Sequence, residues 1–220
     1  KFLEAFFLSA QSLTTVGYGR LNPEGMFNET VASIESMIGL LGFALATGLL
    51  YGRFSRPVAN VLFSRLALLS PYNGITAIML RIANKNKSEL LECQATMILS
   101  YVTEEGGQQK REFKTIKLEL THITVLSTSW TIVHPIDEES PLYGWTEEDY
   151  KKHQTEFLVI IQAYEETFAQ TVHARSSYRW NEIIFGARFN SIILPSDDGS
   201  ITAELDKIDD YTAAPLFEEI

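Results

Sequence analysis

Thr14, Thr15, Val16, Gly17, Tyr18 and Gly19 are the residues of this 220-residue chain whose types and order point most directly to chemistry. Four copies of Thr-Val-Gly-Tyr-Gly around one axis aim rings of backbone carbonyls inward, and those oxygens replace the hydration shell of K⁺. Gly17 and Gly19 serve that geometry because carbonyls facing one way need backbone angles that a side chain blocks. Thr15 adds a hydroxyl at the inner end, and Val16 and Tyr18 point away and pack from behind. K⁺ ions would then be coordinated at Thr15, Val16, Gly17 and Tyr18. A Gly-rich turn in a soluble protein is the competing interpretation of six residues, so the flanking elements must decide.

Residues 2–13 predict a short helix that is apolar nearly all round, with Phe2, Leu3, Phe6, Phe7, Leu8 and Leu13, and therefore buried on all sides. At about 18 Å it is too short to cross a bilayer. It suits a half-membrane pore helix with its negative C-terminal end aimed at a waiting cation. Residues 20–29 form a polar Pro/Gly loop. A second helix is predicted from about residue 30 to 54. Its uncharged core of 17 residues, 36–52, makes it a membrane span at the short limit. Gly39, Gly42, Gly48 and Gly52 permit close helix contacts. Arg53 and Arg56 mark the cytoplasmic end by the positive-inside rule, and Pro57 stops the helix.

Beyond residues 62–70, which read as a linker, alternating β-branched runs appear at 76–82, 93–102, 113–120, 129–133, 157–163, 167–174, 182–185 and 191–194. Turn residues separate them, the pattern of an all-β sandwich. Residues 145–152 predict a short helix. From Ser196 onward eight acids face Lys207 alone, which predicts a solvated tail. The expected fold is a membrane α-helical pore over residues 1–57 and an immunoglobulin-like cytoplasmic β-sandwich over residues 58–220.

Charge follows the same division. Residues 1–57 hold four acids and four bases, so the net charge of −10 lies entirely in residues 58–220. That balance argues against nucleic acid as a partner and for attraction of cations. Cys93 is the sole cysteine, so no intramolecular disulfide forms, which suits a reducing compartment. There is no secretory signal pattern. The chain opens inside an apolar helical pattern, which suggests a piece of a longer protein.

The order of pore helix, filter, inner helix, Arg-x-x-Arg-Pro and β-sandwich resembles the inwardly rectifying potassium channels, especially their bacterial members. Thr131-Ile132-Val133-His134-Pro135-Ile136-Asp137-Glu138-Glu139-Ser140-Pro141-Leu142-Tyr143 is similar to the family's strand-and-turn signature. Arg175-Ser176-Ser177-Tyr178 with Asn181-Glu182-Ile183 is a second match, and Arg81-x-x-Asn84 with Lys85 and Lys87 a weaker third. Together they cover nearly the whole chain.

The resemblance implies a homotetrameric integral membrane channel of the plasma (bacterial inner) membrane, with potassium ions in the filter and no organic cofactor. It also implies a slide helix and an outer helix ahead of the pore helix, outside this sequence, and membership among voltage-gated channels. Phe43, Thr47 and Tyr51 follow one another at i, i+4 and i+8 on the inner helix. By resemblance Phe43 occupies the cavity position where strong rectifiers carry an acid, and Tyr51 the lower constriction. Packing against neighbouring helices is the plainer role for these aromatics. Glu35 lies near the filter's inner side, where it attracts K⁺ or braces the filter; the alternative is a helix that starts later and leaves Glu35 at the water interface. Gln11 departs from the Glu that braces the filter in relatives, and Arg20 stands where bacterial relatives have Asp.

Residues 162–171 match the loop that narrows the cytoplasmic pore, with Tyr164, Phe168 and Ala169 as constriction residues and Glu165 or Glu166 lining the vestibule. Gln162 stands where strong rectifiers have an acid. Block by polyamine or Mg²⁺ is therefore expected to be weak. Arg53, Arg56, Lys85 and Lys87 form a basic group suited to an anionic lipid headgroup, a phosphoinositide among them; for Arg53 and Arg56 a purely topological role is the alternative.

The histidines, His122, His134, His153 and His173, show no metal-ligand spacing with Cys93, and His134 reads as a structural residue within a strand. No nucleophile elbow, phosphate loop or dinucleotide motif occurs, so no enzyme activity is expected. Two other functions stay open at this point: a potassium channel with a different ligand-gated domain, and a soluble β-sandwich binding module.

Overall fold

A computed structural model describes residues 1–54, 60–85, 89–167, 169–195 and 201–217. The chain divides into two compact units, Lys1–Arg56 and Pro57–Ile220.

The first unit consists of α1 (Phe2–Leu13) and α2 (Met26–Phe54). α2 starts four residues earlier than the apolar pattern predicts. Gly25, at φ +87°, ends the loop. The Glu29 amide donates to the Gly25 carbonyl at 3.0 Å and closes the extra first turn, while the Asn28 amide donates to the Glu24 carbonyl at 2.9 Å and the Thr30 hydroxyl to the Met26 carbonyl at 2.7 Å. Glu29 lies in that turn, where its charge complements the helix dipole. The 29 residues span roughly 43 Å. α2 has a mean hydropathy of 1.6 over its most apolar 18-residue window, long and apolar enough to cross a membrane.

Within the single chain the two helices leave most of their surface uncovered. α1 has no buried residue and α2 buries Gly39 alone. One neighbouring helix covers only one side of α1, so Phe2 is 83 % exposed. Apolar surface this extensive calls for lipid or further subunits around it.

In the second unit, β1 (Val61–Phe63), β2 (Ala67–Tyr72), β3 (Ile75–Asn84), β7 (Ser129–Ile136) and β10 (Ile183–Phe185) form one sheet. β4 (Leu90–Glu105), β5 (Gln108–Ile116), β6 (His122–Leu126), β8 (Glu156–Glu165) and β9 (Gln170–Arg179) form the other. Pairing is antiparallel except between β10 and β2. The core draws from both sheets: Leu80 and Ile82 from β3, Met97 and Leu99 from β4, Val159 and Ile161 from β8. Fully burying each such side chain contributes about 1.5–3 kcal/mol. Along β8 the period is two: Phe157, Val159, Ile161 and Ala163 face in, while Ile160, Gln162 and Tyr164 face out. The predicted short helix is α3 (Glu147–Lys152), capped by reciprocal bonds between Thr146 and Asp149.

Three departures from the sequence pattern have physical causes. The supposed linker at 62–70 contains β1, β2 and their turn. The Ser64 amide donates to the Arg81 carbonyl at 2.8 Å, and the Tyr178 hydroxyl donates to the Ser64 carbonyl at 2.8 Å. β2 is buried on both faces through Ser70, so its apolar run shows no alternation. The run at 113–120 leaves its sheet after Ile116. Leu118 enters the core, the Glu119 amide donates to the Val133 carbonyl of the other sheet at 2.9 Å, and β6 follows as a strand not predicted. The acidic tail also packs in part. β14 (Tyr211–Ala213) pairs with β11 (Ala187–Phe189), Ile208 is buried, and Asp209 pairs with Arg65 at 3.2 Å. A last pair joins β12 (Ile193–Pro195) to β13 (Ile201–Ala203).

The signature around His134 is structural, as its strand position suggested. His134 is buried, with Nδ1 2.5 Å from the Lys117 carbonyl and Nε2 2.8 Å from Ser140 Oγ. Nδ1 faces an acceptor and so carries the proton, leaving neutral Nε2 to accept from Ser140. Burial holds the imidazole below its ordinary pKa, opposed by the Lys117 carbonyl and the Asp137 charge. The folded chain thus binds fewer protons at this site than the unfolded one. Its stabilising contribution is full above the ordinary imidazole range near 6.5 and is lost as pH falls through and below it. Thermal melts should lose stability between about pH 7 and 5. His134→Gln should flatten that slope; an unchanged slope assigns it to other groups.

Candidate functional site

α1 ends in a six-residue turn that leads straight into the filter stretch. The Val16 amide donates to the Gln11 carbonyl at 3.0 Å and the Thr15 amide to the Ser12 carbonyl at 3.1 Å, a Schellman arrangement. The Thr14 hydroxyl donates to the Ala10 carbonyl at 2.7 Å. Thr15, Gly17 and Gly19 have φ of +58°, +52° and +79°, while Val16 and Tyr18 between them do not have positive φ. Alternating handedness turns successive peptide units so that like groups face one side. With the amides of residues 14–16 directed back to α1, the arrangement suits a row of carbonyls facing a common axis.

Thr15 is the element sequence reasoning missed. A β-branched residue with positive φ is an outlier, and such strain persists only where the surroundings enforce it. Nothing local signals it, because the Schellman position is ordinarily glycine.

α2 touches this turn at successive points. The Ser9 hydroxyl donates to the Glu35 carboxylate. The Ser36 hydroxyl lies 3.0 Å from the Ser12 carbonyl and 2.9 Å from its own Ala32 carbonyl, and it shares its proton between them. Gly39 abuts Leu13 so closely that a Cβ there would lie 1.8 Å from the Leu13 carbonyl oxygen. Glu35 is half-buried within α2, which begins well before it, rather than ahead of a later-starting helix. Gln11 is half-buried and Arg20 exposed. Phe43, Thr47 and Tyr51 are exposed on α2 within the single chain.

The predicted loop at 162–171 is mostly strand. Tyr164 pairs with Thr171 and Glu165 with Gln170, so β8 continues to Glu165 and β9 begins at Gln170. The Ala169 amide donates to the Glu166 carbonyl at 3.2 Å, with Ala169 at φ +50°. Gln162 and Tyr164 face outward, Glu166 is exposed, and Glu165 is buried. Phe168 lies outside the described residues.

Of the basic group, Arg53 is exposed in the last turn of α2 and Lys85 is exposed after β3, its amide donating to the Asn60 carbonyl at 2.9 Å. Arg56 and Lys87 lie outside the described residues. Arg81 and Asn84 of the same motif are buried. Arg81 places its guanidinium 4.5 Å from the Phe189 ring centre and donates to the Asn190 carbonyl at 2.6 Å. Its pKa lies below the ordinary value because burial disfavours the charge, against the attraction of Asp210. Cys93 is buried, and that burial raises its thiol pKa to about 11, which keeps it unreactive.

Residues 61–217 match the inward rectifier potassium channel C-terminal domain, and residues 1–56 match an ion channel domain. The chain is 39 % identical over 208 residues to inward rectifier potassium channel Kirbac3.1 of Paramagnetospirillum magnetotacticum, covering 94 % of this chain and 70 % of that one. It is 32 % identical over 203 residues to inward rectifier potassium channel 4 of Homo sapiens, covering 87 % of this chain and 45 % of that one. The chain thus spans about half the length of this mammalian relative. A solved structure, the sporulation control protein Spo0M of Bacillus subtilis, aligns at a TM-score of 0.31 and 9 % identity over 62 % of this chain and 59 % of that one, too slight a likeness to bear on the fold. Voltage gating finds no support among these relatives.

Proposed function

Because this chain belongs to the inward rectifier potassium channel family, we propose that it forms the pore and cytoplasmic part of a homotetramer that conducts K⁺ passively across the bacterial inner membrane. It is an integral membrane protein and not an enzyme. Alternating backbone handedness at Thr15, Gly17 and Gly19 is the observation that carries the reading. Thr15, Val16, Gly17 and Tyr18 dehydrate K⁺ by substitution, and several weak sites in a row let ions displace one another. Tyr51 closes the pore by excluding water. Tyr164 near the end of β8, with Phe168 and Ala169 beyond it, narrows the cytoplasmic path. Glu166 supplies vestibule charge, since it is exposed where Glu165 is buried. Arg53 and Arg56 at the end of α2 suit an anionic lipid headgroup that modulates opening, and Lys85 and Lys87 after β3 carry charge suited to the same class of ligand.

The test is flux into liposomes by the full-length protein carrying this chain. K⁺ uptake blocked by barium, with Na⁺ excluded, is the expected result; equal Na⁺ and K⁺ uptake sinks the selectivity claim. An apolar Phe43 ring and a neutral Gln162 hold polyamines poorly, so rectification is weak. Phe43→Asp should strengthen spermine block by at least roughly tenfold, because four carboxylates would then face one low-dielectric cavity. Unchanged block would place Phe43 off the pore axis.

A further inference from the structure

The backbone of Thr15 is held in a conformation that threonine avoids. What holds it is visible in the last turn of α1. The Ser12 carbonyl accepts the Thr15 amide at 3.1 Å and also the Ser36 hydroxyl of α2 at 3.0 Å. One oxygen therefore ties the first left-handed residue of the filter to the inner helix. A turn earlier on α1, Ser9 donates to Glu35, the residue before Ser36. A turn later on α2, Gly39 sits against the carbonyl of Leu13, the residue after Ser12. The three contacts lie one after another along α1 and α2, at residues 35, 36 and 39 on one side and 9, 12 and 13 on the other. Gln11, by contrast, offers no charge, and its backbone carbonyl is engaged by the Val16 amide.

We propose that Glu35 and Ser36 are positioning residues for ion selection: through Ser9 and the Ser12 carbonyl they fix the end of α1 and so keep Thr15 left-handed. The proposal rests on the channel reading above. Neither side chain touches the ion. Each acts through the α1 backbone, so its loss loosens the spacing of the filter oxygens rather than removing a ligand. Loosened oxygens discriminate less between K⁺ and the smaller Na⁺.

The experiment measures K⁺/Na⁺ permeability ratio and barium dissociation rate in liposomes for the full-length wild type, Ser36→Ala, Ser36→Thr and Glu35→Ala, each first shown to run as the wild-type oligomer. Ser36→Ala should lower the permeability ratio about tenfold, the scale of one lost hydrogen bond, and speed barium release. Ser36→Thr keeps the hydroxyl and should restore both values. Glu35→Ala should shift the ratio in the same direction, because Ser9 loses its acceptor. A ratio and barium rate within twofold of wild type in both alanine variants overturns the proposal while leaving the channel reading intact. Equal loss in Ser36→Ala and Ser36→Thr also overturns it, since bulk and not the hydrogen bond would then be at fault. If the wild type itself shows no K⁺ flux, the channel reading falls and this proposal falls with it.

Discussion

Gly39→Ala should abolish K⁺ flux. The new Cβ would lie 1.8 Å from the Leu13 carbonyl oxygen and 2.7 Å from its carbon. Both are backbone atoms of the turn that delivers the chain into the filter, so no side-chain rotation relieves the clash. Either α1 lifts from α2 or the Leu13 peptide turns, and both movements disturb the bonds that hold Thr15 and Val16. Overpacking costs about 1–3 kcal/mol per site, and a tetramer carries the change four times over. Gly42→Ala is the control: a Cβ there meets nothing within 4 Å in the single chain. The measurement is barium-sensitive K⁺ flux alongside oligomer size in detergent. Normal flux from Gly39→Ala would mean that α1 and α2 do not meet as described.

Arg81→Ala should carry the second large effect, on the cytoplasmic unit rather than the filter. Arg81 stacks on Phe189 and donates to the Asn190 carbonyl, and so fastens β3 to the segment around β11. The Asn190 amide in turn donates to the Asp210 carbonyl at 3.0 Å, next to β14. Truncation removes the stacking and the charge-assisted bond and leaves a void, together costing roughly 2–4 kcal/mol. Amide exchange in β11 and β14 should accelerate before exchange in β4 and β8 does. Uniform acceleration across all strands would show global destabilisation instead of release of this latch. One guanidinium nitrogen of Arg81 is buried without a hydrogen-bond partner among the described residues, so a well-packed Met should cost less than Ala.

The burial of Arg81 divides a motif that is continuous in the sequence. In the sequence, Arg81-x-x-Asn84 with Lys85 and Lys87 is one family-like motif, of which Lys85 and Lys87 also belong to the basic group suited to a headgroup. In the fold the motif separates. β3 buries Arg81 and Asn84, and Lys85 emerges only where the strand ends. Charge is visible in a sequence, but the side of a sheet that a charge faces is set by neighbouring strands. The same holds at β8, where Glu165 and Glu166 are adjacent and equivalent in composition. The strand period sends Glu165 inward and the turn leaves Glu166 outside.

The sequence by itself determined the kind of object this is. Six filter residues, an uncharged helix after them and alternating strands beyond specify backbone chemistry that few other arrangements use, because periodicity and glycine placement are local properties. Tertiary structure alone decided how the filter is supported. Thr15 adopts a left-handed backbone because amides, a serine hydroxyl and a glycine gap from two helices converge on one turn, and no local preference of threonine favours it. It also decided that residues 62–70 include core strands and that part of the acidic tail packs, since pairing of β2 with the distant β10 and of β14 with β11 outweighed local composition.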